Sequence, residues 1–438
     1  MPYANWNTMS KTSGIPYRNL ILVVRADPII CGHSTEARNL AEAARAAGIE
    51  NVHIVSYPLD VLAESGLPLK PLDSVAPYSP GIFVDRPEPV GDYKVLDGRL
   101  GYAIAGHLID LVNRLPGRTA IMNLYLVPHG QMVMQSVETL RGMGTREAPA
   151  TIAEAVGSDV TNVVANALST GQLGAAAIVL QNYLAHDLPV AVSEYTRKLI
   201  IEAGQQVDER LKTTFAYQLE SRVRISYPAI DTSVYLNVAE QAEQNASVLA
   251  GRGLSPDGFL LFLSRLSKAK GVDDLIRAYR ASQLYGKKVL AICGTGPDAD
   301  RLIELAAGDP NIRFFDDVGD EEKLALMHSC YAYCLPSKPR PEFTETFGIA
   351  IAEAMLSGGL GPVITTRTGG IPEATGDHCL YHAAGDVADL TSKLNLVASM
   401  SDWDRGGLSR AAQQYARRFD RAVILDRLLS APAIRAVA

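Results

Sequence analysis

Two glutamates, Glu345 and Glu353, stand eight positions apart, the first in a polar stretch and the second in an apolar run at helical spacing. A helix rising about 1.5 Å per residue would separate them by on the order of 10 Å. Ionised carboxylates only accept hydrogen bonds, so each suits a hydroxyl-bearing partner. Gly348 falls near the helix start, where a missing side chain lets a ligand approach backbone amides that favour anions. Such a helix can hold a phosphate near its mouth, a polyol at Glu345 and a ribose at Glu353.

The elements that must position these groups alternate between strand and helix. Residues 330–336 (CYAYCLP) read as a buried strand and 337–346 as a proline-bearing loop. Residues 347–356 read as a helix stopped by Ser357-Gly358-Gly359, and 361–365 as the next strand. Further back, 259–263 is a strand running into Arg265, Lys268 and Lys270, and 288–293 is a strand ending in Gly294-Thr295-Gly296. That glycine pair lacks the third glycine of a dinucleotide fingerprint, and Asp298 and Asp300 would repel phosphate, so it reads as a turn. Strand 311–315 and helix 321–329 follow.

The first half opens in the same way. Residues 19–24 predict a strand, 25–33 a loop, 34–47 a helix with Ser34 or Thr35 as cap and Gly48 as stop, and 52–56 a second strand. This is the opening of a parallel, doubly wound α/β sheet. Residues 58–92 read as a surface loop and 100–115 as a helix, and 118–127 hold a strand that ends in Pro128-His129. A histidine at a strand's C-terminal end sits where open sheets place ligands. Residues 145–187 read as mainly helical, 188–193 as a strand, 194–203 as a helix that could turn Arg197 and Lys198 to a ligand, and 408–429 as a charged-faced helix.

The run Glu345-Thr346-Phe347-Gly348-Ile349-Ala350-Ile351-Ala352-Glu353, continued by Ala354-Met355, Pro362-Val363-Ile364 and Gly369-Gly370-Ile371-Pro372-Glu373, resembles the retaining glycosyltransferases of family 4. The resemblance implies the GT-B fold, two Rossmann-like domains facing a cleft. Residues 1–231 would form the acceptor-side domain, 232–410 the nucleotide-sugar domain, and 411–438 a helix crossing back. It implies that Glu353 binds ribose hydroxyls and Glu345 sugar hydroxyls, with Thr346 and the Phe347, Gly348 and Ile349 amides alongside. Ser264 to Gly271 resembles the family's Arg-Leu…Lys-Gly pattern, so Arg265 and Lys270 would stabilise the departing diphosphate. Gly32 and His33 would lie by the donor phosphates and the acceptor, and His129 would contact the donor sugar. The co-substrate would be a GDP- or UDP-sugar, the acceptor a small molecule, and neither a metal nor another cofactor is expected.

Bulk properties narrow the alternatives. Net charge is −7 over 438 residues, which disfavours a nucleic-acid role. There is no apolar leader and no uniformly apolar 18-residue run, so a cytoplasmic protein without a transmembrane segment is expected. The 5 scattered cysteines suit reduced thiols, and Cys330 and Cys334 lack a second ligand pair for a metal. A GT-B nucleotide-sugar epimerase or hydrolase would need further acid/base residues at the sugar, and none is identifiable. A non-catalytic sugar-nucleotide binding protein would keep Glu353 but could lose Arg265 or Lys270, and both are present. Thr346, Ser264 and the insert Lys338-Pro339-Arg340-Pro341 depart from the family pattern, so the sugar is not carried over. The base, the acceptor, a homo-oligomer and a role in bacterial specialised metabolism stay open.

Overall fold

The computed structural model describes residues 14–28, 32–66, 75–96, 98–145, 147–237, 242–341 and 343–437. Cys31, the arm before residue 14 and part of the predicted loop 58–92, residues 67–74, lie outside them.

Among the described residues, two parallel sheets organise the chain. The first has seven strands, β1 Asn19–Val23, β2 Asn51–Val55, β3 Ile82–Asp85, β4 Thr119–Asn123, β5 Ala150–Ala155, β6 Leu188–Ala191 and β7 Arg224–Ile225, in the order β3-β2-β1-β4-β5-β6-β7. The second has six, β8 Phe259–Leu263, β9 Val289–Cys293, β10 Ile312–Phe315, β11 Ala332–Leu335, β12 Val363–Thr366 and β13 Leu380–His382, in the order β10-β9-β8-β11-β12-β13. β1 (NLILV) is buried throughout, as a strand covered on both faces by helices must be. Strand order reverses between β1 and β4 in the first sheet and between β8 and β11 in the second. At such a switch point the loops leaving two strands diverge and open a crevice at their C-terminal ends.

Several predicted elements shift. Helix α1, Gly32–Ala46, takes Gly32 and His33 into its first turn, out of the loop assigned to them. Ser34 is therefore not the cap, and its hydroxyl donates to the Ala26 carbonyl at 2.5 Å. The strand expected over 118–127 stops at Asn123, and a widened helical turn, Leu126–Gly130, carries His129. β5 (ATIAEA) was missed within the segment read as helical, because alanine and glutamate are weak strand formers and tertiary context decided the outcome. β3 was missed inside the loop 58–92. Helix α2, Glu194–Leu211, runs past the expected end at 203 to Lys212, which adopts a left-handed conformation with φ 57°.

The chain crosses between the sheets twice, side by side. The Ile230 N–H donates to the Phe419 carbonyl at 2.9 Å, and the Arg421 N–H donates to the Ile230 carbonyl at 2.8 Å. Helix α3, Asp402–Ala416, packs Ala412 and Ala416 into the second domain's core. Helix α4, Arg421–Leu429, packs Ile424, Leu425 and Leu428 beside Leu40 in the first domain's core. Phe347 is 2 % exposed at this crossing, its ring 5.5 Å from Tyr227 and 5.0 Å from Phe419. Its side chain therefore serves the hinge, which leaves only its backbone to a ligand.

Candidate active site

The second switch point gathers the residues singled out by charge. The loop after β8 carries Arg265, then Lys270 in the short turn Lys268–Lys270, and the loop after β11 carries Glu345. Lys270 Nζ bonds Glu345 Oε2, both side chains are about nine-tenths buried, and Phe343 flanks the ammonium at 5.3 Å. Arg265 is exposed and forms no ion pair among the described residues, and Lys268 is also exposed. The turn at Gly294-Thr295-Gly296 packs against Ser264 and Leu266, and the Leu266 N–H donates to the Thr295 carbonyl at 2.7 Å. The glycine pair is thus a buttress for the Arg265 loop, in keeping with a turn rather than a dinucleotide cradle. The insert also has a role: Lys338 Nζ lies 3.0 Å from Asp273 and 2.7 Å from Asp274, two acids that would otherwise oppose an anion near Lys270.

Gly348 caps helix α5, Ile349–Leu356, with φ +100°, a conformation that glycine adopts without strain. The Gly369-Gly370 turn presses on the segment before it. The Gly370 N–H donates to the Glu345 carbonyl at 2.9 Å, and a β-carbon on either glycine would collide with the Glu345 or Thr346 carbonyl oxygen. Glu353, 6 % exposed, lies inside α5, with Lys323 Nζ 2.7 Å from Oε1 and buried Tyr235 beside it. A carboxylate offers about four acceptor positions, so these neighbours leave room for further hydroxyl donors.

Across the cleft, the first switch point supplies Gly32 and His33 after β1 and His129 after β4. A β-carbon on Gly32 would come within 2.9 Å of Ile349 Cδ1, and one on Gly157, in the loop after β5, would meet Thr346 Cγ2. The two domains therefore touch at Thr346 and Ile349. His129 is fully buried, neither ring nitrogen has a hydrogen-bond partner among the described residues, and its ring lies 5.9 Å from Tyr57 and 6.5 Å from Tyr125. Burial, then the charges of Arg25 and His33, push its pKa down to about 3, so at neutral pH the imidazole has one donor and one acceptor to offer. Arg197 and Lys198 do not join the site. Arg197 bonds Glu194 and the Val223 and Glu220 carbonyls, and Lys198 is exposed.

The sequence reading missed the acids beneath this floor. Asp159 accepts N–H bonds from Leu126 at 3.0 Å, Gly157 at 2.9 Å and Val160 at 3.0 Å, which ties the His129 turn to the loop facing Thr346. Glu36 and Glu154 are buried against each other, and Glu36 accepts the Ala229 N–H at 3.1 Å next to the crossing. Two sealed carboxylates have no donor between them unless one keeps a proton, and burial raises both pKa values. Glu36 rises to about 7. Because the folded state holds this proton more tightly than the unfolded chain, the contribution is full below about pH 4.5 and is lost as pH rises to about 7. His129 and His186, held neutral by burial, change stability in the opposite sense, so the test is a difference. The unfolding free energy of Glu36→Gln relative to wild type, from urea titration, should rise with pH across that window, by about 1.4 kcal/mol per unit, and a flat difference would show that the Glu36 carboxyl is not raised.

Glu373 forms a second link between the domains. Its carboxylate accepts the N–H of Glu194 at 2.7 Å and of Tyr195 at 3.2 Å, the first turn of α2 in the other domain. It caps a helix of the other domain rather than its own. Glu373→Ala should destabilise the protein by about 1 kcal/mol, the usual cost of a lost cap, read as a lower urea midpoint with no change in far-ultraviolet dichroism.

Comparison with known proteins places this geometry. Residues 253–419 match the family model described as glycosyl transferases group 1. The D-rhamnosyltransferase WbpZ of Pseudomonas aeruginosa is 33 % identical over 113 residues, 25 % of this chain and 27 % of that protein. The phosphatidylinositol N-acetylglucosaminyltransferase gpi3 subunit of Schizosaccharomyces pombe is 29 % identical over 142 residues, 32 % of this chain and 30 % of that protein. The matches thus span under a third of these relatives' own length. Anabaena HepE, solved with UDP and glucose, superposes with a TM-score of 0.64 at 16 % identity over 94 % of this chain and 98 % of its own. No described helix is long and apolar enough to cross a membrane. The fold is GT-B, and its second domain is the part that matches the group 1 glycosyl transferases.

Proposed function

We propose that this protein transfers a sugar from a nucleoside-diphosphate sugar, UDP or GDP, to a small-molecule acceptor, with retention at the anomeric carbon, as in family 4. The observation that carries the reading is the contact of Lys270 with Glu345 at the second switch point, opposite Gly32 and His129. Glu353 takes the ribose, the amides at Gly348 and Ile349 face the diphosphate, and Glu345 and His129 hold sugar hydroxyls. As the bond from the anomeric carbon to the phosphate oxygen breaks, charge grows on the diphosphate, and Arg265 and Lys270 offset it. The acceptor oxygen bonds to the same face of that carbon and gives its proton to the departing phosphate oxygen. No protein nucleophile and no metal enter this scheme, and closure of the domains excludes water. A cytoplasmic enzyme, and one of specialised metabolism, are consistent with the reading.

The test is Arg265→Ala. Release of nucleoside diphosphate from the sugar donor should fall about 10²-fold or more, with nucleotide affinity within a few-fold of wild type. Undiminished release would leave the protein a binder of sugar nucleotides rather than a transferase.

A further inference from the structure

Arg25 follows β1 at the first switch point, and nothing in the scheme above uses it. It is part-buried, its guanidinium carbon lies 5.7 Å from the Tyr125 ring centroid, and it makes no hydrogen bond or ion pair among the described residues. The acids around it are engaged elsewhere. Asp27, two positions on, accepts the Tyr78 hydroxyl at 2.8 Å and lies 3.7 Å from Arg86, and Asp159, which shares the surroundings of Tyr125, is filled by backbone N–H groups. His129 shares the Tyr125 ring, is 0 % exposed and has no hydrogen-bond partner at either nitrogen among the described residues. The adjoining α1, 15 residues long, has no acid in its first turn to offset the positive end of its dipole. A partly desolvated guanidinium without a counter-charge is costly unless a ligand brings one. The donor's diphosphate already meets Arg265 and Lys270 on the opposite wall.

We propose that Arg25, His129 and the first turn of α1 form a subsite for an oxyanion on the acceptor, a phosphate or a carboxylate. The guanidinium supplies a planar fork to two oxygens, and the neutral imidazole supplies its one N–H, its other nitrogen being left to accept from the sugar hydroxyl assigned to it above. The word acceptor rests on the sugar-transfer reading, whereas the anion site itself does not.

The test is calorimetric titration of inorganic phosphate, glucose 6-phosphate, glucuronate and glucose into wild type, Arg25→Gln and Arg25→Lys, with and without saturating UDP or GDP. At least one oxyanion should bind wild type saturably and at least about tenfold more tightly than glucose. It should weaken about tenfold or more in Arg25→Gln and less in Arg25→Lys, because a point charge replaces the fork only in part. Nucleotide affinity should change less than about twofold. Absence of saturable anion binding to wild type, or equal binding by Arg25→Gln, would overturn the proposal. A matching fall in nucleotide affinity would also overturn it, by assigning Arg25 to the donor's diphosphate. If neither UDP nor GDP binds, the sugar-transfer reading fails by itself, and the titrations without nucleotide still decide the anion site. Arg25 is part-exposed, so the substitutions should leave the thermal midpoint near that of wild type, which is checked alongside.

Discussion

Lys270→Ala is expected to lower turnover by about 10²–10³-fold, the usual effect of deleting a group aimed at developing charge. It should also destabilise the protein. Glu345, with a side chain 12 % exposed, would keep its charge and lose its partner. Breaking such a pair from one side costs up to about 3 kcal/mol. The two effects separate in the double variant Lys270→Ala/Glu345→Ala. Stability should recover there, because no buried charge is left alone, while turnover stays low. Steady-state kinetics and urea midpoints on the three variants decide the point. Turnover within a few-fold of wild type in Lys270→Ala would mean that the pair is structural and that the diphosphate lies elsewhere.

Glu353→Leu should weaken nucleoside diphosphate binding by about 10- to 100-fold, as expected when a charged hydrogen-bonding group worth about 1.5–3 kcal/mol is lost. The fold should survive, since the Lys323 side chain is 23 % exposed and can turn to water. Glu353→Gln should fall between, because an amide accepts one hydroxyl where a carboxylate accepts two. The loss should be alike for UDP and GDP, which share the ribose and differ in the base. Calorimetry on both nucleotides measures this, and unchanged affinity would remove the ribose from Glu353.

The part of the site built on one continuous stretch was legible in the sequence. Glu345, Gly348 and Glu353 belong to one loop and one helix, so spacing alone sets their relation, and the apolar run of α5 gave the helix away. β8, with five apolar residues, and the loop bearing Arg265 and Lys270 were equally plain. What spacing cannot reveal is contact between distant segments. Glu36, Glu154 and Ala229 come from a helix, a strand and the crossing, and each reads in isolation as an ordinary residue. The same holds for Glu373, whose partner helix begins 179 positions earlier. Arg25 was passed over because a lone arginine after a strand is usually solvated, and only its place over Tyr125 without an ion pair among the described residues distinguishes it. β5 was lost for a different reason: its alanines carry no strand preference, and burial between β4 and β6 overrides that weakness.

The most direct test of the central claim is a thermal-shift comparison of the purified protein with UDP, GDP, ADP and TDP and their sugars, with chelator present. A ligand that binds only the folded state raises the midpoint, by about 2.7 kcal/mol of added stability at one hundred times its dissociation constant. A clear rise is expected with one nucleoside diphosphate, unaffected by chelator and absent in Glu353→Leu. A midpoint unmoved by every nucleotide and every nucleotide sugar would contradict it.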